Sequence, residues 1–178
     1  MIEGKKVNLR LAREDEIPLF VSLANRMADV GEFWPHWLIK ESQQIERFRK
    51  DNFWAEDSGK FHIVDKTDKF VGTITFFQSF MFIDGYEIAY RILRPEDRGK
   101  GYMSEALNLF VSYMFEIRPI NRFLLRIFPE NEPSKKLAEK CGFKYEGTLR
   151  QAMFHNGKFM DISLFGLVRE DWEKLPRF

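Results

Sequence analysis

Cysteine is almost absent from the 178 residues, since Cys141 is the only one. An intramolecular disulfide and a cysteine-rich metal site are therefore excluded, and we expect Cys141 to be a small buried apolar residue. The three histidines, His36, His62 and His155, are scattered and lack the spacing of metal ligands. The sequence therefore predicts no metal centre.

Long apolar runs are also missing. No stretch approaches the roughly 20 consecutive apolar residues that a membrane-spanning helix needs. The N-terminal segment MIEGKKVNLRL has no apolar core of the kind that a signal peptide carries. We expect a cytoplasmic protein that does not associate with membranes.

An excess of charge of one sign is the third absence. The 28 basic and 27 acidic side chains leave a net charge of +1. Because dedicated nucleic-acid binders carry a basic patch, we expect no direct binding of nucleic acid. The abundant residue is phenylalanine, with nineteen copies, which indicates an aromatic core or pocket. The length favours a single domain over residues 1–178.

The hydrophobic pattern predicts an α/β (mixed α+β) domain. Period-two alternation and turn signals indicate strands, and three- and four-residue spacing indicates helices. The predicted strands are 7–11, 61–65, 70–80, 85–93, 121–128 and a hairpin around Asn156 and Gly157; the predicted helices are 15–28, about 40–54, one starting near 102, and 132–140. A central mixed sheet with helices on both faces is the simplest way to bury this order.

The segment PEDRGKGYMSEA, residues 95–106, lies where a strand gives way to a helix. Gly99 and Gly101 let the backbone approach another group closely. Arg98 and Lys100 place cations at a helix N-terminus, where the helix dipole disfavours them. An anion bound by backbone N–H groups explains both features, and an ordinary helix-start turn is the alternative. Neither a P-loop nor a GxGxxG motif is present.

A second segment, PENEPSKKLAEKCGF at residues 129–143, begins another helix, with Asn131 as a suitable N-cap and Pro133 in the first turn. By their order and spacing, the two segments resemble the acyl-CoA-binding motifs of the GNAT N-acetyltransferase superfamily. The ending KYEGTLRQAMFHNGKFMDISLFGLVREDW is similar to the ribosomal-protein N-terminal acetyltransferase (Rim-type) branch. With VNLRLAREDE at the start, the resemblance covers nearly the whole chain.

The resemblance implies a mostly antiparallel sheet and acetyl-CoA as co-substrate. The backbone around the CoA pyrophosphate would come from Arg98, Gly99, Lys100, Gly101, Tyr102, Met103 and Ser104. The strand end at Leu93 and Arg94 would bind the pantetheine arm and the acetyl carbonyl, and Asn131 would touch the pantetheine. Glu96 stands where the family often has Gln or Arg, so phosphate binding would depend on the backbone, Arg98 and Lys100.

The family's usual acid is missing, because Ala138 replaces the tyrosine of the second motif. Ser134 lies one helical turn earlier on the same face, and the resemblance implies that it acts as the acid or donates a hydrogen bond to the thiolate. The alternative is a first-turn serine that satisfies the backbone. Glu87 is the candidate base, acting directly or through water, with an ion pair to Arg91 or simple solvation as alternatives.

The resemblance places the aromatic connection GEFWPHWL beside the acceptor pocket. Phe33, Trp34, His36 and Trp37 would then contact the amine substrate, although packing in the core is the alternative. An α-amine has a pKa near ~8 and a lysine amine near ~10.4, so a site with weak proton-transfer groups fits an α-amine better.

We therefore predict an N-acetyltransferase that moves an acetyl group from acetyl-CoA to a primary amine by direct attack. A protein N-terminal α-amine is the first candidate acceptor. A small-molecule amine, either a polyamine or an antibiotic, and a non-catalytic acyl-CoA sensor are the alternatives. The resemblance also implies that a homodimer is possible.

Overall fold

A computed structural model describes residues 1–78 and 85–176. Within these residues the strands form one eight-stranded sheet in the order β1-β2-β3-β4-β5-β6-β8-β7. The strands are β1 Ile2–Glu3, β2 Val7–Arg10, β3 Ser58–Asp65, β4 Phe70–Phe77, β5 Gly85–Ile92, β6 Arg122–Ile127, β7 Lys144–His155 and β8 Lys158–Val168. Neighbouring strands are antiparallel except β5 and β6, which are parallel. The predicted mixed, mostly antiparallel sheet is confirmed.

Helices cover both faces of this sheet, as predicted. They are α1 Ile17–Ala24, α2 Met27–Val30, α3 Glu41–Asp51, α4 Tyr102–Ile117, α5 Glu132–Lys140 and α6 Arg169–Glu173. One apolar core joins a sheet face to α4 and α5, with Phe76, Phe110 and Phe123 fully buried. A second core on the opposite face joins α1 and α3 to Phe70 and Leu93.

The predicted helix over residues 15–28 is interrupted, because α1 ends at Ala24 and α2 begins at Met27. The Asn25 side chain accepts a hydrogen bond from the Ile39 N–H at 2.8 Å and donates one to the Ile39 carbonyl at 2.9 Å. Asparagine bonds to backbone groups outside helices readily, so it ends a helix that apolar spacing alone would extend. This clamp joins the end of α1 to the residue that follows the aromatic connection.

The other boundaries differ by a few residues. The predicted helix 132–140 is confirmed as α5, and the hairpin at Asn156 and Gly157 is confirmed as the β7–β8 turn. The predicted strand 70–80 is described to Phe77 as β4, and residues 79 and 80 lie outside the described residues. The short elements β1 and α6 were not predicted.

Strands β5 and β6 diverge along their length. They pair only where residues 85–87 meet residues 122–124, near the start of both strands. β5 nevertheless continues to Ile92 and β6 to Ile127. A wedge-shaped opening, called the β5–β6 gap below, therefore separates their C-terminal halves and ends beside the start of α4.

A buried charged network joins the start of α1 to strands β2 and β3. The Glu16 carboxylate accepts hydrogen bonds from Arg10, from His62 Nδ1 at 2.9 Å and from the Arg13 N–H at 3.1 Å. Burial raises the pKa of Glu16, but the hydrogen bonds from Arg10 and His62 outweigh it and hold the pKa well below its usual range. The folded protein is therefore stabilised by ionised Glu16.

We predict that Glu16→Gln lowers the free energy of unfolding at pH 7 by about 1–3 kcal/mol, since it removes charge-assisted hydrogen bonds. A depressed carboxyl pKa gives stability that is present above the ordinary value near 4.5 and is lost as the pH falls. Urea unfolding at pH 7 and pH 4 should thus show the difference from wild type shrinking in acid. The exposed control Glu116→Gln should change little, and an equal difference at both pH values would contradict the assignment.

Candidate active site

The loop before α4 exposes backbone N–H groups at the mouth of the β5–β6 gap. After the 3-10 turn Pro95–Asp97, Gly99 and Gly101 adopt positive φ angles of 74° and 80°. The first hydrogen bond of α4 runs from the Glu105 N–H to the Gly101 carbonyl. The N–H groups of the first turn therefore have no acceptor inside the helix, and a helix start of this kind suits an anion. The backbone fits the CoA pyrophosphate that the sequence predicted.

Asp97 anchors this loop, and sequence reasoning missed it. Its side chain is 2% exposed, and its oxygens accept hydrogen bonds from Lys69 Nζ at 2.8 Å and Lys100 Nζ at 3.0 Å. Burial raises the pKa of Asp97, but these two bonds lower it more, so the pKa lies below its usual value. The anchoring role of Asp97 could not be inferred from the sequence, because a carboxylate is not expected beside a phosphate site and its partner Lys69 is distant in the chain.

The two cations of the loop already have partners within the protein. Arg98 is exposed and its guanidinium donates to the Asp29 carbonyl of α2. Lys100 pairs with Asp97, and this hydrogen bond raises the pKa of the lysine. A lysine has three N–H donors and an arginine five, so both side chains keep donors beyond these bonds, and their contact with a phosphate stays a prediction. Glu96 is exposed in the 3-10 turn.

The end of β5 offers fewer backbone donors than the sequence suggested. The Leu93 N–H donates to the Val71 carbonyl at 3.0 Å and is therefore engaged within the sheet. Because successive residues of a strand direct their N–H groups to opposite sides, those of Ile92 and Arg94 point away from β4 and toward the gap. The Arg94 guanidinium donates to the Phe70 carbonyl at 2.8 Å. Of the two residues predicted at the strand end, Arg94 keeps an N–H directed at the gap.

Two hydroxyl groups meet across the β5–β6 gap. Tyr90 of β5 and Ser134 of α5 lie 2.7 Å apart, oxygen to oxygen. Burial raises the pKa of the Tyr90 phenol to about 12, so it stays protonated. Asn131 Oδ1 accepts from the Ser134 N–H at 3.2 Å, which confirms Asn131 as the N-cap. Ala138 is fully buried in the core.

Tyr90 was not predicted as a site residue. It shares a face of β5 with Ile88 and Ile92, and nothing local indicated that it would reach a helix residue 44 positions away. Cys141, next to this helix, is buried as expected, and burial raises the pKa of its thiol to about 11.

Glu87 lies on the opposite face of β5 and is 5% exposed. Its Oε1 accepts a hydrogen bond from Arg126 Nε of β6 at 2.6 Å, while its Oε2 has no partner in the part of the chain that the structure describes. Both alternatives raised for Glu87, an ion pair with Arg91 and solvation, are therefore wrong. The Glu87 carboxylate is therefore buried, with one oxygen hydrogen-bonded and the other without a partner among the described residues.

The aromatic connection lies against this same face. The Trp34 ring stands 5.6 Å from the Arg91 guanidinium, and the Phe33 ring lies 6.0 Å from that of Phe128 at the end of β6. Trp37 differs, because 74% of its surface is exposed. The structure thus brings Phe33 and Trp34 to the gap, and it leaves Trp37 in solvent.

His155, at the end of β7, also reaches this region and was missed. Its Nε2 donates to the Glu32 carbonyl, and its ring lies 4.9 Å from Phe128 and 5.8 Å from His36. The side chain is 8% exposed. The long β7–β8 hairpin therefore contacts the aromatic connection and the end of β6, which local sequence patterns do not encode.

Within residues 1–78 and 85–176, no three His, Cys, Asp or Glu side chains are grouped so that they could hold a metal ion. Over the same ranges, no helix has the length and apolar character needed to cross a membrane.

A mixed sheet whose one parallel strand pair opens beside an anion-binding helix start is the architecture of an acyl-CoA-binding acyltransferase. In agreement with this class, residues 6–144 match the family model described as the acetyltransferase (GNAT) domain. This match covers more than half of the chain, so the protein belongs to the GNAT acetyltransferase family.

Curated relatives carry several kinds of acetyltransferase name. The uncharacterized N-acetyltransferase YoaA of Bacillus subtilis is 36% identical over 103 residues, which are 58% of each chain, so this protein spans about three-fifths of that relative. The spermidine N(1)-acetyltransferase of Vibrio cholerae is 23% identical over 86% of this chain and 88% of the relative. The ribosomal-protein-serine acetyltransferase of Escherichia coli is 26% identical over 76% and 75%.

Solved structures share the fold. The spermidine N-acetyltransferase of Vibrio cholerae in complex with CoA and spermine superposes with a TM-score of 0.83 at 21% identity, over 96% of this chain and all of that one. The ribosomal-protein acetyltransferase RimL in complex with CoA gives a TM-score of 0.81 at 20% identity, over 94% and 97%. The predicted GNAT fold is thereby confirmed.

We predict that Gly99→Ala weakens CoA binding about tenfold, or about 1.4 kcal/mol, because it strains the loop that presents the backbone donors. Gly157→Ala is the matched control, since Gly157 has a φ of 81° and a Cβ at either glycine would meet no heavy atom within 4 Å. Calorimetric titration measures the affinity for CoA. Thermal unfolding measures the loss of stability that both substitutions cause by placing alanine at a positive φ angle. Equal CoA affinity for both variants would contradict the placement of the cofactor loop.

Proposed function

We propose that this protein transfers an acetyl group from acetyl-CoA to the α-amine at the N-terminus of a protein. The amine nitrogen attacks the thioester carbon directly, so that a C–N bond forms, the C–S bond breaks and no acyl-enzyme is needed. The observation that carries the choice of acceptor is the charge on the outer face of β5. Its two buried charged side chains are Glu87, already paired with Arg126, and the cation Arg91.

The chain's own residues supply the binding site for the co-substrate. Acetyl-CoA would bring the acetyl group as a thioester, and the N–H groups of residues 99–104 would hold its pyrophosphate, since the Arg98 N–H donates to the Pro95 carbonyl at 3.0 Å. The N–H groups of Ile92 and Arg94 point into the β5–β6 gap, where they can serve the pantetheine arm and the acetyl oxygen. Asn131 and Ser134 border the same gap from α5.

Glu87 is the proposed base, because its Oε2 is buried and has no partner within the described ranges. Arg126 holds the other oxygen at 2.6 Å and thereby fixes the direction of the carboxylate. Glu87 accepts the proton that the attacking amine loses, directly or through one water. An α-amine needs little help from such a base, because its pKa near ~8 leaves a useful neutral fraction at pH 7.

Ser134 and Tyr90 are the proposed hydroxyl pair for the leaving sulfur. The Ser134 hydroxyl lies at the gap and donates a hydrogen bond to the thiolate as the C–S bond breaks. Tyr90, which stays protonated, donates to Ser134 and orients that hydroxyl at 2.7 Å. In this proposal the two hydroxyl groups take the role of the family's usual tyrosine acid, whose position is occupied by Ala138.

A polyamine acceptor fits these charges less well. The relatives include enzymes named for spermidine and for ribosomal proteins, so kinship leaves the acceptor open. A polycation is stabilised by several carboxylates, whereas this face buries a cation beside one carboxylate that Arg126 already neutralises. An uncharged or anionic extension beyond the reacting amine is favoured instead.

We predict that, with acetyl-CoA, the purified protein acetylates short peptides at their N-terminus with kcat/KM at least about tenfold above that for spermidine. Thiol release measures turnover, and mass spectrometry of the product locates the acetyl group. Peptides blocked at the N-terminus but carrying lysine are the control. Preference for spermidine would refute the choice of acceptor, and CoA binding without release from any amine would support the sensor alternative.

We predict that Ser134→Ala lowers kcat roughly 10- to 100-fold, because the thiolate loses its hydrogen-bond donor. Tyr90→Phe should lower kcat less, since it only removes the group that orients Ser134. The KM for acetyl-CoA should stay near the wild-type value in both. Tyr145→Phe is the matched control, since Tyr145 is exposed and, among the described residues, its hydroxyl is hydrogen-bonded only to the Thr148 hydroxyl. An unchanged kcat in both site variants would remove the pair from the mechanism.

Two further expectations from the sequence remain predictions. We propose that the reaction takes place in the cytoplasm. A homodimer is also retained as a proposal, and size-exclusion chromatography with light scattering would test it.

A further inference from the structure

Arg91 is a buried cation, two of whose nitrogens have no hydrogen-bond partner in the described part of the chain. Its side chain is 8% exposed, and neither Nε nor Nη2 has a hydrogen-bond partner among residues 1–78 and 85–176. A buried guanidinium without an anionic partner is costly, so such a group persists where a ligand satisfies it. The Trp34 ring lies 5.6 Å from its Cζ atom and can hold the guanidinium by a cation–π contact.

The charges around Arg91 favour an anion at this position. Arg98 adds a second positive charge nearby, while Asp29 is the acidic group that faces it. The Asp29 carboxylate is engaged by Arg26 at 3.2 Å, and its carbonyl accepts from Arg98. Nearby protein groups therefore leave the two nitrogens of Arg91 without an acceptor.

Arg91 shares one face of β5 with the proposed base. Glu87 and Arg91 are separated along that face by the small residue Ala89, and four residues of strand span about 13 Å between their Cα atoms. Glu87 contacts Arg126 of β6, and Arg91 contacts the Trp34 ring. A negative group and a positive group thus lie on one face of β5 with only the small residue Ala89 between them, and Trp34 lies beside the positive group.

We infer that Arg91 binds a carboxylate of the acceptor, so that the preferred acceptor is a peptide with an acidic side chain within its first two residues. This inference rests on the proposed function and narrows its substrate class. The reacting amine lies near Glu87 Oε2, and the carboxylate pairs with Nε and Nη2 of Arg91. Two extended residues cover about 7 Å, which fits an amine and an acid held between these side chains.

The test compares acceptors that differ only in charge. Wild type, Arg91→Gln and Arg91→Lys are assayed with acetyl-CoA and two peptides, Ser-Asp-Ala-Ala-amide and Ser-Asn-Ala-Ala-amide. A small-molecule pair, β-alanine and β-alaninamide, is assayed in parallel. We expect wild type to prefer the acid of each pair about tenfold in kcat/KM, chiefly through KM. The acid-to-amide ratio of kcat/KM should fall to about one in Arg91→Gln, and Arg91→Lys should keep part of the preference.

Arg150→Gln is the matched control, because Arg150 is an exposed arginine on β7. It should keep the wild-type preference. An acid-to-amide ratio that is equal in wild type and Arg91→Gln would overturn the inference, whatever the absolute activity.

Two further outcomes distinguish carboxylate binding by Arg91 from a role in CoA binding and from failure of the proposed N-terminal acceptor. Calorimetry with CoA alone tests whether Arg91 serves the co-substrate: a loss of CoA affinity in Arg91→Gln, with both peptides affected equally, would overturn the inference. If neither peptide reacts but β-alanine is preferred over its amide in an Arg91-dependent way, the N-terminal proposal fails and the carboxylate contact stands.

Discussion

The site depends on the loss of hydrogen bonding between two parallel strands. β5 and β6 pair for three residues and then separate, so the backbone of β5 is paired on one side by β4 and open on the other. A strand edge that is left unpaired inside a sheet presents N–H and C=O groups to whatever enters. The same divergence allows Tyr90 to reach Ser134 on α5, and it ends beside the first turn of α4.

Charge is distributed unevenly around this opening. At the phosphate end, the buried Asp97 engages Lys69 and Lys100, and Arg98 is tied to α2. The backbone N–H groups of the first turn of α4, which have no acceptor inside the helix, are held in place by this loop. On the outer face of β5 the reverse applies, since the buried donors of Arg91 have no protein acceptor in the described chain.

Similarity to relatives identifies the family and the fold, whereas the charges near β5 bear on the choice of acceptor. Relatives named for spermidine and for ribosomal proteins match this chain at 23% and 26% identity, and solved structures of both kinds superpose on it closely. The likeness to the solved structures shows a shared fold, which includes the gap and the helix start. In our proposal the acceptor is selected by side chains on one face of β5 and by the connection that covers them, where Trp34 contacts Arg91.

The sequence by itself determined the sheet-and-helix order, the glycine loop, the Asn131 cap and the family, because each depends on residues close together in the chain. It misplaced the end of α1, since the Asn25 clamp needs Ile39, and it did not reveal Asp97, Tyr90 or His155 as site residues. Only the tertiary structure decided that Glu87 pairs with Arg126, that Trp37 is exposed and that Arg91 is buried beside Trp34. These outcomes depend on contacts between strands and loops that are distant in the chain, and local periodicity carries no information about which side chains such contacts bring together.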